Sequence, residues 1–218
     1  MRATPFLMGL AIFLLAGLLV FEIKADRRGL LPFKTALSLL FVLVAVWQPH
    51  AAPAYARPML AGLTLCLIGD VSLALPGRHA FLLGLLAFLC GHLAYLWAFF
   101  GLAPFSNWAL LGLWFGSMIS FVIYRWLKPY LGDMQLAVLI YIVVITLMLC
   151  GAWAVIAEGT LSLAGKRLIV LGAMCFYFSD AFVARDRFVT AHFFNRLIGL
   201  PLYYAGQFFL AFSLGLVH

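Results

Sequence analysis

Apolar residues run through this chain in long blocks, and polar positions collect in the short gaps between them. Each block is about 16–24 residues long, the length a helix needs to cross a bilayer. Charges, Pro and Gly cluster at the gaps and predict eight helices, at about 5–22, 33–48, 58–76, 80–101, 107–125, 134–157, 167–184 and 199–217. Two acidic residues break the pattern from inside the blocks: Asp70 after Leu65-Cys66-Leu67-Ile68-Gly69, and Asp180 after Cys175-Phe176-Tyr177-Phe178-Ser179. A carboxylate at bilayer depth costs about 3 kcal/mol or more, so both are read as functional positions.

The composition sharpens this picture. The 218 residues are 67% hydrophobic and 10% charged, where a soluble domain would be about a quarter charged. The expected fold is an all-α polytopic transmembrane bundle forming one domain over residues 1–218, with no room for a soluble domain. The apolar run from Phe6 lacks a small-x-small cleavage site and is read as a retained first helix. Cys66, Cys90, Cys150 and Cys175 fall inside predicted helices and read as packing residues rather than disulfide partners.

The net charge of +7 belongs to loops and argues for no nucleic-acid partner. Short loops make sequence neighbours antiparallel, so alternate loops share a side. Ten of the 14 lysines and arginines (Lys24, Arg27, Arg28, Lys34, Arg78, Arg125, Lys128, Arg185, Arg187, Arg196) fall on one side; Arg2, Arg57, Lys166 and Arg167 fall on the other. The richer side is expected to be cytoplasmic. In a bacterium the host membrane would be the inner one.

Helices three and seven then run in the same direction, with both acids within about 6–9 Å of the inner boundary at 1.5 Å per residue. They are expected to be adjacent in the bundle and to share a pocket. Gly62, Asp70 and Ala74 recur at the same spacing as Gly172, Asp180 and Ala184, the pattern of a parallel four-helix repeat.

Other polar residues fall in the same layer. Helix eight brings Tyr203, Tyr204 and Gln207, with Tyr203 and Gln207 one turn apart on one face. Helix seven adds Tyr177, helix five Ser120 and Tyr124, and helix two Lys34, Thr35 and Ser38. His92 sits near the middle of helix four, with Tyr95 one turn on; the other histidines are placed in loops or at the terminus. These groups suit a polar head group, whereas interfacial anchoring is the ordinary role of Tyr and Lys at helix ends. No metal is expected, since only Asp70, Asp180 and His92 are helix-borne ligands and a site needs three or four that converge. No cofactor motif appears: there is no Gly-rich phosphate loop and no Gly-x-Ser-x-Gly elbow. Gly112 and Gly116 read as a close-packing pair.

Three blocks carry a resemblance. Gly69-Asp70-Val71-Ser72-Leu73 is followed by Phe81, Gly84, Phe88, Gly91-His92 and Tyr95. Gly172-Ala173 is followed by Phe176-Tyr177-Phe178-Ser179-Asp180, Ala184 and Phe188. Helix eight carries Tyr203-Tyr204-Ala205-Gly206-Gln207. In order and spacing these resemble the YhhN family of lysoplasmalogenase-like membrane proteins. Lys34 looks like that family's lysine at the start of helix two, here followed by Thr35 where the family pattern has Pro.

The resemblance implies an eight-helix enzyme that hydrolyses the vinyl ether of a lysoplasmalogen, a lysophospholipid taken from the membrane. The products are a fatty aldehyde and glycerophospho-ethanolamine or -choline. The family's two acids map onto Asp70 and Asp180. The chemistry of the residues agrees. A vinyl ether is cleaved by protonating its β-carbon, which leaves an oxocarbenium ion for water to attack, and this calls for one acid and one carboxylate. Two carboxyls in one dry pocket hold a single proton between them. In this reading Lys34, Arg185 or Arg187 meets the phosphate, and the alkenyl tail runs past Phe88, His92 and Phe176.

A proton-coupled transporter or channel is the main alternative, since intramembrane acids also build proton relays. Against it, the helices show no mid-span Pro-Gly break, with Pro201 expected in a first turn, where it is tolerated. A lipid-binding subunit without catalysis and a metal-dependent lipid amidase are further readings; scarce helical histidines disfavour the amidase. The oligomeric state is left open.

Overall fold

The computed structural model describes residues 4–217. Arg2 and His218 lie outside the described residues, as does the side chain of Arg27. The described residues form eight long helices: α1 Thr4–Lys24, α2 Arg27–Trp47, α3 Pro53–Ala74, α4 Arg78–Leu102, α5 Asn107–Leu127, α6 Gln135–Ala154, α7 Leu163–Ala184 and α8 Phe193–Ser213. All eight are long and apolar enough to cross a membrane, and the chain is a multi-pass integral membrane protein. Its outer surface is apolar, with Trp97 75% and Trp47 68% exposed.

Four helices begin earlier than hydropathy places them. α2, α3, α7 and α8 start at Arg27, Pro53, Leu163 and Phe193. Hydropathy marks the hydrocarbon layer, whereas capping marks the helix. The Asp26 carboxylate accepts from Arg28 N (3.0 Å), Ser162 Oγ from Gly165 N (3.1 Å) and His192 Nδ1 from Phe194 N (3.2 Å). Each satisfies a backbone donor that the helix itself leaves unpaired.

Two placements are corrected. His79 lies in the first turn of α4 rather than in a loop. Pro201 lies inside α8, more than two turns from its start, so the carbonyl of Leu197 receives no helical N–H there.

The helices pack as two similar halves. α3 lies along α4, and α7 along α8. α2 packs mainly on α3 and also meets α8; α6 packs mainly on α4 and also meets α7. In each long pair two glycines face one another. A Cβ on Gly62 would stand 3.1 Å from Gly91 O, and one on Gly91 3.3 Å from Gly62 O. In the second half, a Cβ on Gly172 would stand 3.1 Å from Gly206 O, and one on Gly206 2.9 Å from Gly172 O. Asp70 and Asp180 follow Gly62 and Gly172 at the same interval, and Gly84 and Gly199 precede Gly91 and Gly206 at the same interval. Gly84 and Gly199 face the carbonyls just before the acids, Gly69 O at 3.2 Å and Ser179 O at 3.7 Å. The short echo of Gly, Asp and Ala thus extends through two helix pairs as a parallel repeat.

The expectation that α3 and α7 are adjacent is not met. Their glycine faces are taken by α4 and α8, so the two acid-bearing helices do not pack along each other. A triangle of aromatic rings spans the gap: Phe176 of α7 lies 5.2 Å from Tyr203 of α8 and 6.1 Å from Phe88 of α4.

The close pairs make a stability prediction. Gly206→Ala drives a Cβ against backbone atoms of α7, Gly172 O at 2.9 Å and Phe176 N at 3.1 Å. We expect a loss of about 1–3 kcal/mol, the usual cost of overpacking, read as a lower melting temperature in detergent. Gly9→Ala, with nothing within 4 Å, serves as the neutral control. Equal melting temperatures for the two variants would show that the α7–α8 contact is not tight.

Candidate active site

Asp70 and Asp180 each lie one turn before the end of their helix, at Ala74 and Ala184. Both line one cavity of about 700 Å³, within the usual range for a small-molecule site. The cavity is open at the end of the bundle that carries Gly77, Phe81 and Arg187, and its walls include Phe88, Ile145 and Tyr203. Beyond them the bundle is filled by fully buried Leu63, Cys66, Tyr95, Phe99 and Leu149.

The two acids have unlike surroundings. Asp70 is 2% exposed. Its Oδ2 accepts from Ser38 Oγ (2.6 Å) and Tyr203 OH (2.6 Å), and Lys34 Nζ lies 3.3 Å from Oδ1. One ammonium and two hydroxyls therefore compensate this carboxyl. Asp180 is 18% exposed along its side chain. Its Oδ2 accepts from Tyr141 OH (2.6 Å), and His92 Nε2 stands 3.8 Å away, beyond hydrogen-bond distance. No cation lies within 4.0 Å of it apart from His92 in its protonated form, among the described residues. Its Oδ1 makes no hydrogen bond to the described residues.

The repeat shows where the halves diverge. Lys34 reaches Asp70 from α2; Tyr141 reaches Asp180 from α6, the helix in the matching place. Counted from Gly91 and Gly206, Phe88 holds the position of Tyr203. Asp180 thus meets a phenol where Asp70 meets an ammonium, and the position in α4 that matches Tyr203 carries no hydroxyl.

The other candidates divide between lining and backing. Lys34, Tyr177 and Tyr203 line the cavity. Tyr177 OH is held away from Asp180: it donates to Gly116 O (2.9 Å) and bonds Ser120 Oγ (2.7 Å), which in turn bonds Thr146 Oγ1. His92, Tyr204 and Gln207 stand behind the wall. Tyr204 OH lies 3.3 Å from Ser38 Oγ, and Tyr95 OH donates to Gln207 Oε1 at 2.8 Å. His92 is fully buried with both ring nitrogens unpartnered, its ring 4.5 Å from that of Phe176. Among the described residues, no three His, Cys, Asp or Glu side chains are grouped to hold a metal ion.

Sequence reading missed Tyr141. The signal was there: it is the one phenol in the otherwise apolar block of α6, about two turns in, as Lys34 is in α2.

Eight membrane helices in two parallel halves, with an acid from each half on one cavity, define a polytopic membrane protein with a two-carboxyl site. The chain belongs to the YhhN family, whose model matches residues 30–214. It is 32% identical over 214 residues to "Lysoplasmalogenase TMEM86B" of Rattus norvegicus, covering 86% of this chain and 84% of that one. It is 28% identical over 180 residues to "Lysoplasmalogenase" of Mycobacterium tuberculosis, covering 79% of this chain and 64% of that one. It is 27% identical over 237 residues to "Lysoplasmalogenase TMEM86A" of Bos taurus, covering 88% and 90%. No solved structure matches the chain.

The pairing at Asp70 predicts a thermodynamic cycle. Lys34→Met leaves a buried carboxyl without its cation and should cost about 3–5 kcal/mol. Adding Asp70→Asn to that variant should return most of the loss, because no charge remains to compensate. Melting temperatures of the two single variants and the double variant in detergent measure this. Strictly additive effects would show that the two side chains do not interact.

Proposed function

We propose that this chain is an enzyme that hydrolyses the vinyl ether of a lysoplasmalogen, releasing a fatty aldehyde and a glycerophospho-ethanolamine or -choline. The observation that carries the reading is the pair of unlike carboxyls on one cavity. The names of the relatives support the substrate class.

Their unlike surroundings support different parts for the two acids. Asp180, with Oδ1 unbonded and no lysine or arginine within 4.0 Å among the described residues, carries the proton and gives it to the β-carbon of the vinyl ether. The C=C bond becomes a C–H bond, and an oxocarbenium ion forms. Asp70, held as a carboxylate by Lys34, Ser38 and Tyr203, takes a proton from the water that attacks this ion. A neutral hemiacetal results. The hemiacetal hydroxyl then returns its proton to Asp180, the C–O bond to glycerol breaks, and the leaving oxygen takes the proton from Asp70. Both acids end in their starting states, so the cycle needs no proton path through the closed far half of the bundle. Placing general acid and base on separate, differently solvated carboxyls is a common solution in hydrolases.

The cavity mouth lies at the lysine- and arginine-rich ends of the helices. We place it at the cytoplasmic face, where a single-chain lipid enters with its vinyl ether just below the polar boundary.

A proton-coupled transporter would use the same acids. The parallel repeat and Pro201 within α8 are compatible with one. The densely filled half beyond the cavity favours hydrolysis.

Asp70→Asn and Asp180→Asn should each lower kcat for aldehyde release by at least about 10³-fold in purified, folded protein, more than the 10²–10⁴ range's lower end for losing one acid–base group. Tyr141→Phe should lower it about 10-fold by freeing Asp180 to reorient. Near-normal turnover by either Asn variant would remove that acid from the mechanism. Substrate flux in proteoliposomes without aldehyde formation would establish the transporter instead.

A further inference from the structure

We propose that the cavity mouth is a recognition site for a zwitterionic amino-phosphate head group, with Arg187 and Arg78 taking the phosphate and Asp133 the ammonium. The proposal rests on the reading that the cavity takes a lysophospholipid.

The structure spends most charges near the mouth on one another. Lys34 is held by Asp70. Arg185 donates to the side-chain oxygen of Asn195. Arg196 lies between Glu22 (2.8 Å) and Asp186 (3.1 Å). Arg187 has no carboxylate partner among the described residues. Its guanidinium carbon instead lies 4.0 Å from the centroid of the Phe81 ring, which is part of the cavity wall.

A local irregularity puts it there. α7 runs into a π-helical turn, Arg185–Val189, closed by Thr190 N donating to Arg185 O at 3.0 Å. Such turns are rare and concentrate at functional sites. This one sends Asp186 toward α8, where it accepts from His192 N, Asn195 and Arg196. Arg187 is left facing α4 and Phe81.

A second hollow adjoins the mouth. It shares Gly77, Phe81, Arg187 and Phe188 with the main cavity and adds Arg78 and Asp133. Neither added residue makes an ion pair or a side-chain hydrogen bond among the described residues. Gly77 shapes this rim: its φ of +108° is a backbone state that favours glycine, and it directly precedes Arg78. Two guanidinium groups and one carboxylate are thus uncommitted in one place, the charge pattern complementary to a phosphate beside an ammonium.

The depth fits. Arg187 follows Asp180 by seven residues, or about 10 Å along a helix. In the lipid, the glycerol carbons and one ester oxygen separate the vinyl ether oxygen from phosphorus. With the vinyl ether at the acids, the phosphate extends toward the mouth and the arginine arms reach inward to it.

The test measures binding rather than turnover, using saturated 1-O-alkyl lysolipids that cannot undergo vinyl ether cleavage. One carries phosphoethanolamine and the other phosphate alone; both are titrated into the full chain in detergent micelles. Arg187→Gln should weaken both ligands about 10-fold, as expected for one charge-assisted hydrogen bond of about 1.5 kcal/mol or more. Asp133→Asn should weaken only the phosphoethanolamine ligand, by about 3-fold to 10-fold. Both residues are exposed, so melting temperatures should stay at the wild-type value. Wild-type binding of both ligands by Arg187→Gln overturns the phosphate site, and equal weakening of both by Asp133→Asn overturns the ammonium site. Wild-type protein that shows the expected head-group pattern yet does not cleave the vinyl ether overturns the hydrolase reading and upholds this one.

Discussion

The compensation of two carboxyls inside a hydrocarbon-facing bundle is the constraint around which this molecule is arranged. An acid at such a depth is tolerated only where the protein supplies its partners. For Asp70 these come from two directions, Lys34 and Ser38 on α2 and Tyr203 on α8. For Asp180 the partner comes from α6 through Tyr141. The helices that bring them are the ones that bridge the two halves, α2 reaching to α8 and α6 to α4. Satisfying the acids and joining the halves are therefore one packing problem, and the glycine faces of α3–α4 and α7–α8 leave room for its solution.

Much of this was legible in the chain, for identifiable reasons. Helix number and the layer of the acids follow from hydropathy, because the bilayer sets a length that apolar blocks must match. Asp70 and Asp180 stand out because no other acidic residue falls in their blocks. The beginnings of α2 and α8 were missed because Asp26 and His192 cap helices that extend past the hydrocarbon, where hydropathy is silent. The misplacement of Pro201 followed from that same error. The adjacency of α3 and α7 was inferred from shared depth, but depth fixes height and not azimuth. Azimuth is set by which faces are smooth enough for close approach, and on these helices the glycines chose α4 and α8.

Partner choice was the least legible part. Lys34 reads as an interfacial or head-group lysine because a charged residue near a helix end usually snorkels outward. Here it turns inward, the one cation within 4.0 Å of Asp70 among the described residues. Tyr177 stands one turn before Asp180 on the same helix, yet its hydroxyl is captured by Ser120 and Gly116 of α5. Residues that share a helix face compete for the same neighbours, and a sequence does not say which neighbour arrives.

The repeat gives the asymmetry of the site its meaning. Two similar halves place two aspartates in equivalent backbone positions, which alone would make a symmetric pair with no preference for where one proton sits. Side chains break that degeneracy at two matching places, Lys34 against Tyr141 and Tyr203 against Phe88. Both changes act in the same sense. Lys34 sets a cation beside Asp70 where Tyr141 sets a hydroxyl beside Asp180, and Tyr203 gives Asp70 a further hydroxyl, so the two carboxyls have unlike surroundings. A duplicated scaffold supplies the two backbone positions, and the side chains around them make the two carboxyls unlike.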